Sequence, residues 1–297
     1  MYMALAERGN ALRGGFGSVF RQLVCDPSCP GASNCPRRQA CPYACLFEPL
    51  WPQAASKLGT LDLPRPFVFR PPLRTDPEFS HAHPLIFELR LLGSAIASFE
   101  FFIRSFQLLA EQGLGHARAE VDLVSVESLF WDGSTASVLY RDGQITRLPP
   151  LCLDFEVCMQ QSLAGGPASI EFVTPTLLKE KGVELAVPSF PAVVMRVRDR
   201  ISHLCLAYEG MPWQAEYGAI GEAAAQTVIA SEQGGWQARS RVSSRTRRTM
   251  PLSGYCGVVT YKEVAAELLP LLLVGQEIHV GRHAAWGNGW FRLQGAA

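Results

Sequence analysis

The 297-residue chain has no surplus of either charge: 27 Lys and Arg balance 27 Asp and Glu, and only 18% of its residues are charged. That balance excludes a globally basic field, so nucleic-acid binding would have to rest on local clusters. Long apolar runs are also missing. The stretch "VAAELLPLLLV" (264–274) is broken by Glu267 and Pro270 and is too short to span a bilayer. At the start, "MYMALAERGN" carries Glu7 and Arg8 where a secretory apolar core would lie, which points to a cytoplasmic protein with no membrane partner. Nine cysteines, an odd number in so long a chain, argue against a disulfide scaffold. Nucleophile elbow, Walker loop and paired-carboxylate cluster are all lacking. A phosphoryl reaction here is therefore expected to need no catalytic metal or other cofactor.

The 48% apolar content suffices for two domains of ordinary size. In the second half, "ASIEF" (168–172) alternates like a strand, and "FPAVVMRVRDRISHLCLAY" (190–208) has helical spacing. "WQARSRV" (236–242) and "YCGVVTY" (255–261) read as strands, "KEVAAELLPLLL" (262–273) as a helix and "GWFRL" (289–293) as a last strand. That order, strand-helix-strand-strand-helix-strand, is the ferredoxin-like pattern. The first half repeats much of it, with a helix at 17–25, strands at 67–70 and 84–93, and an amphipathic helix at 95–112. Too few residues precede its first helix for a comfortable opening strand. A hairpin over 135–148 carries a type I′ signal at Asp142-Gly143. The expected fold is α+β, with tandem ferredoxin-like (RRM-like) domains over 1–165 and 166–297, the first holding a Cys-rich insert.

Both halves place a glycine-rich basic loop between a helix and a strand: "GLGHARAEVDLVSV" (113–126) and "IHVGRHAAWGNGWFRL" (278–293). Glycines let backbone N–H groups approach an anion. Gly281, Gly287 and Gly289 with Arg282 are thus candidates to contact phosphate, the alternative being a plain glycine hairpin. Residues 233–262 contain no Asp or Glu, yet hold Arg239, Arg241, Arg245, Arg247 and Arg248 within ten positions. Such a run is either a solvated face or a set of phosphate forks; its acid depletion favours phosphate, with RNA rather than DNA as partner. No aromatic signature for stacking bases on the sheet is present.

Cys25, Cys29, Cys35, Cys41 and Cys45 crowd into "CDPSCPGASNCPRRQACPYAC". Clustered thiolates need a cation, and the candidates are a structural zinc on Cys25, Cys29, Cys35 and Cys41 with Cys45 spare, an iron–sulfur cluster, or free thiols. Cys152, Cys158, Cys205 and Cys256 read as core residues. His279 and His283 are the histidines that proton transfer would want. His81 and His83 read as a surface loop, His116 as a possible phosphate contact and His203 as a helix-packed residue.

The elements "LRGGFGSVFRQLVC", "CPYACLFEP", "LLGSA", "GLGHAR", "FVTPTLLKEKG", "SSRTRRTMPLSGYCGVVTY" and "IHVGRHAAWGNGW", in that order, resemble the CRISPR-associated repeat-RNA endoribonucleases of the RAMP superfamily, the Cas-six type. The resemblance implies metal-independent cleavage of CRISPR precursor transcripts into guide RNAs. The ribose 2′-hydroxyl attacks the adjacent phosphate and leaves a 2′,3′-cyclic phosphate. It also implies a place in antiviral defence and contact with other effector-complex subunits. Many members carry a catalytic histidine shortly after the first helix, whereas this chain has none before His81. A non-catalytic guide-RNA-binding subunit and a zinc-stabilised protein-interaction module are the competing readings.

Overall fold

Phe16, Phe20, Phe47 and Phe67 are wholly or almost wholly enclosed, and the core of the N-terminal half is built around them. The computed structural model describes residues 1–49, 63–242 and 249–294. Its chain divides into two compact units, one of Met1–Phe67, Pro71–Leu153 and Ala207–Glu209, the other of Val68–Arg70, Asp154–Leu206 and Gly210–Ala297. The main division falls after Leu153, before the 165/166 boundary read from the glycine-proline punctuation. Phe155 stacks edge-on against Trp213 in the second unit, which accounts for the earlier break.

In the first unit, α1 (Arg8–Val24) buries Leu12, Phe16, Val19 and Phe20, the three-to-four-residue spacing of one helix face. A short α2 (Pro42–Phe47) follows, then β2 (Glu88–Leu91) and α3 (Phe99–Gln112), while Val68–Arg70 of the intervening β1 (Phe67–Arg70) count with the second unit. Phe16 stacks on Phe102 and on Phe106, each at 5.0 Å between ring centroids. Gly15 lets Leu109 of α3 approach, since a Cβ there would lie 2.9 Å from its methyl carbon. Where an opening strand would stand, Tyr2 makes a single antiparallel bridge to Glu78, flanked by Met3 N–H donating to Pro77 O at 2.8 Å. Three further strands form an antiparallel meander: β3 (Ser125–Leu129), β4 (Thr135–Arg141) and β5 (Gln144–Ile145). Asp142 and Gly143 both have positive φ, 51° and 81°, as the type I′ turn requires.

Arg8 is fully buried, and sequence patterning gave no sign of it. Its guanidinium donates to the carbonyls of Met3, Pro72, Arg74 and Asp76 and lies 5.0 Å over the Phe79 ring. One cation thus satisfies four loop carbonyls that have no ladder partner.

The second unit opens with α4 (Phe155–Met159) and β6 (Gly166–Thr176). A two-residue-stranded hairpin, β7 (Lys179–Glu180) and β8 (Val183–Glu184), leads to α5 (Phe190–Leu204) and α6 (Tyr217–Ala225). Ser189 caps α5 by accepting from Ala192 N–H, and Pro191 stands in its first turn. Then come β9 (Val228–Gln237), the hairpin strands β10 (Ser240–Val242) and β11 (Thr249–Pro251), β12 (Gly254–Val264), α7 (Leu269–Ile278) and β13 (Phe291–Gln294). The main sheet is antiparallel in the order β13-β6-β12-β9. With the short hairpins, α4 and α6 set aside, this is strand-helix-strand-strand-helix-strand with the outer strand β13 beside the first.

The helix expected from Lys262 begins at Leu269. Residues 262–264 stay in β12 because Tyr261 is buried in the sheet with its hydroxyl on Pro188 O, and Val264 still pairs with Gly166. Pro270 then sits in the first turn, where its missing N–H costs nothing. Gly275 brings α7 close to its neighbours, since a Cβ there would meet Val197 and Phe291 at 2.8 Å.

Candidate nucleic-acid interface

The loop between α7 and β13 is held from three sides of the second unit. Arg200 Nε donates to Ile278 O at 2.7 Å, closing the helix end. Arg70 pairs with Glu277 at 2.9 Å and donates to Gln276 O at 2.7 Å. Thr174 of β6 reaches the far end: its hydroxyl donates to Gly287 O at 2.8 Å and accepts from Trp290 N–H at 2.9 Å. Asn288 Nδ2 donates to Leu252 O, tying the loop to the start of β12.

The glycines are needed for closure. Gly281, Gly287 and Gly289 have φ of 80°, 91° and 72°, where only glycine is unstrained. A Cβ on Gly289 would fall 1.7 Å from Val280 O. Val280 N–H donates to Gly289 O, Gly289 N–H to Pro175 O, and Gly287 N–H to Ala284 O. The donors of Gly287 and Gly289, expected to contact phosphate, are therefore spent inside the fold, and both residues are buried. Gly281 is half-buried and Arg282 is exposed at the loop tip.

The histidines separate sharply. His279 has no exposed surface; it lies flat against Trp290 (6.2 Å between centroids, 4° between planes) and engages Asn288 O through Nδ1 at 3.1 Å. Because a carbonyl only accepts, this bond fixes the Nδ1–H form of the ring. An imidazole so enclosed offers no face to a scissile phosphate, which corrects the expectation that His279 itself transfers the proton. His283 is half-buried in the left-handed region, φ 63°, and its carbonyl accepts from Trp286 N–H at 2.8 Å. It is the loop histidine with surface to offer.

The arginine-bearing hairpin meets this loop. Arg241 of β10, opposite Met250 of β11, lays its guanidinium 3.7 Å over the Trp286 ring. Burial there lowers its pKa from the ordinary arginine value. Arg239 is half-exposed and donates to Gln237 Oε1; its main chain exchanges bonds with Ser253 and Leu252. Arg245, Arg247 and Arg248 lie outside the described residues. Sequence reasoning missed Trp286, Thr174 and Asn288, whose roles arise from packing against distant strands. An isolated tryptophan among loop glycines was the only local signal.

His81, His83 and His116 are exposed, and His203 is half-buried on α5, where burial lowers its pKa. Cys152, expected in the core, is exposed; Cys158, Cys205 and Cys256 are half-buried. In the Cys-rich segment Cys25, Cys29, Cys35, Cys41 and Cys45 are half-buried free thiols, and burial raises the pKa of Cys25 and Cys45. Among the described residues no three His, Cys, Asp or Glu side chains already stand as a metal centre, and no helix is long and apolar enough to cross a membrane.

The geometry is that of a mixed α/β chain with an antiparallel sheet, an arginine-bearing hairpin and a loop at the sheet's end that exposes Arg282. Residues 170–291 match the family of CRISPR-associated endoribonuclease Cas6, and residues 6–151 match a family described as an N-terminal domain. An uncharacterized protein of Archaeoglobus fulgidus is 24% identical, the alignment covering 96% of this chain and 91% of that relative. Among solved structures, a Cas6 product complex superposes with TM-score 0.54 at 16% identity, covering 99% of this chain and 95% of that one. Cas6 of Thermus thermophilus gives 0.51 at 16% identity, covering 98% and 93%.

Proposed function

We propose that this protein binds CRISPR repeat RNA and cuts the precursor transcript once per repeat, by attack of a ribose 2′-hydroxyl on the neighbouring phosphate. The attacked phosphorus gains the 2′-oxygen and loses the 5′-oxygen, which takes up a proton. The products are a 2′,3′-cyclic phosphate and a free 5′-hydroxyl. The observation that carries this reading is the junction of hairpin and loop, where Arg241 is stacked on Trp286 of the loop that also carries the exposed Arg282, with half-exposed Arg239 two residues before Arg241. These cations can take phosphate oxygens and stabilise the charge that builds on the scissile group. His283 is the proton-transfer group in this scheme, and His279 positions the loop through Asn288. We read the second unit as a ferredoxin-like domain on the strength of its strand order, and the first as a reduced relative whose opening strand is a stub.

The test is single-turnover cleavage of repeat RNA in EDTA with end-group analysis. A cyclic-phosphate end is expected in wild type, and His283→Ala should slow the step by ~10²–10⁴ while binding persists. Arg239→Ala with Arg282→Ala should flatten the dependence of log affinity on log salt, by roughly 0.7 for each phosphate no longer neutralised. A second reading, a guide-RNA-binding subunit that does not cut, is favoured by the burial of His279 together with the absence of any histidine before His81. RNA bound tightly but recovered intact would select it.

A further inference from the structure

The guanidinium of Arg241 is held in an unusual way. No acidic residue occurs in 233–262, and burial alone shifts this group, downward from its usual value. Its Nη2 donates to a thioether, Met250 Sδ at 3.2 Å, and its buried Nε has no hydrogen-bond partner among the described residues. A cation that leaves water for acceptors this weak is held chiefly through its face, which lies 3.7 Å over the Trp286 ring. Cation–π attraction strengthens where water is excluded. The stack is therefore a fixed contact between β10 and the loop that follows α7.

Trp286 carries that contact into the turn beside the candidate histidine. It ends a single 3₁₀ turn, Ala284–Trp286, whose N-cap is His283. Trp286 N–H donates to His283 O at 2.8 Å, and Gly287 N–H to Ala284 O at 2.9 Å. His283 has φ 63°, a conformation that a residue with a Cβ keeps only when its surroundings hold it there. Thr174 holds the far side of the turn through Gly287 O, and Asn288 Nδ2 reaches Leu252 O at the base of the hairpin. Arg241 meets the turn itself, from farther along the same hairpin, where β10 pairs with β11.

We infer that Arg241 and Trp286 are positioning residues whose stack ties the arginine-bearing hairpin to the turn of His283, a role that rests on His283 being the proton-transfer group proposed above. Hairpin and histidine then move as one body, so RNA gripped by the hairpin meets the imidazole at a set distance. A stacked guanidinium still donates in its own plane, so this role adds to phosphate contact and does not replace it.

The test is single-turnover cleavage of repeat RNA by the full-length protein, with protein in saturating excess. Arg241→Lys keeps the charge and loses the planar face, and Trp286→Leu removes the ring; each should slow cleavage roughly 10- to 100-fold. RNA affinity should stay near that of wild type in both. The double variant should be no slower than the slower single one, because each breaks the same contact. Trp286→Phe, which keeps a ring for the cation, should retain most of the rate and guards against a Trp286→Leu that fails to fold. A second measurement needs no cleavage. In protein with nitrogen-15-labelled histidine, the His283 signal is identified by its loss in His283→Gln, and Arg241→Lys should displace it. If wild type binds RNA without cutting while that signal is displaced, the proposed function fails and the tie between hairpin and turn stands. An unmoved His283 signal, a folded Trp286→Leu that cuts at full rate, or rate losses that multiply in the double variant would each overturn the tie.

Discussion

Gly289→Ala probes whether the loop geometry is what holds the interface. Its φ of 72° costs an L-residue ~1–2 kcal/mol. The new methyl would also sit 1.7 Å from Val280 O, a distance no rotamer relieves because both atoms belong to or adjoin the backbone. The two loop stems must part, giving up Val280 N–H to Gly289 O at 2.9 Å and Gly289 N–H to Pro175 O at 3.1 Å. Each such bond contributes ~0.5–1.5 kcal/mol. The total cost is therefore ~2–5 kcal/mol. Gly143→Ala serves as the control, since its φ is 81° and nothing lies within 4 Å of a Cβ there, so only the conformational cost of ~1–2 kcal/mol applies. Urea denaturation followed by tryptophan fluorescence reads both variants. Each kcal/mol of destabilisation should also lower the melting temperature by roughly 2–4 °C for a unit of this size. Gly289→Ala should weaken repeat-RNA binding as well, and Gly143→Ala should not. If Gly289→Ala costs no more than Gly143→Ala, the loop is not held as described and the argument from closure fails.

Two further outcomes follow from the same structure. Arg8→Leu leaves four carbonyls without their donor, one of the bonds buried and three part-buried, and should destabilise the first unit by ~1–3 kcal/mol, read as a fall in the urea midpoint; an unchanged midpoint would mean that water serves those carbonyls equally well. His203 has its folded pKa lowered by burial, so its contribution to stability is present above its unfolded value of 6.5 and is lost as pH falls through that value toward the folded one. His203→Gln should flatten the pH dependence of unfolding between pH 7 and 5, and an unaltered slope would place the titration elsewhere.

Local chemistry made much of the second unit legible in the sequence. The alternation at 168–172, the spacing of Val194, Val197 and Ile201, and Ser189 before Pro191 each act within one element and need no partner to be read. Asp142-Gly143 declared its hairpin for the same reason, as its backbone preference is intrinsic. The end of β12 was misread because "KEVAAELL" suits a helix until Tyr261 and Val264 are paired across the sheet.

At the site, the sequence by itself determined which residue types gather: glycines with arginine and histidine in one loop, and arginines without acids in one hairpin. Tertiary structure alone decided what each could do. His279 and His283 are four positions apart and chemically identical, yet one is sealed against Trp290 and the other keeps a face on the surface. Gly287 and Gly289 spend their N–H groups on the chain itself, and Trp286 gains a role because Arg241 arrives from another strand. Burial and hydrogen-bond partners are properties of what surrounds a residue, and those surroundings come from segments far away in the chain.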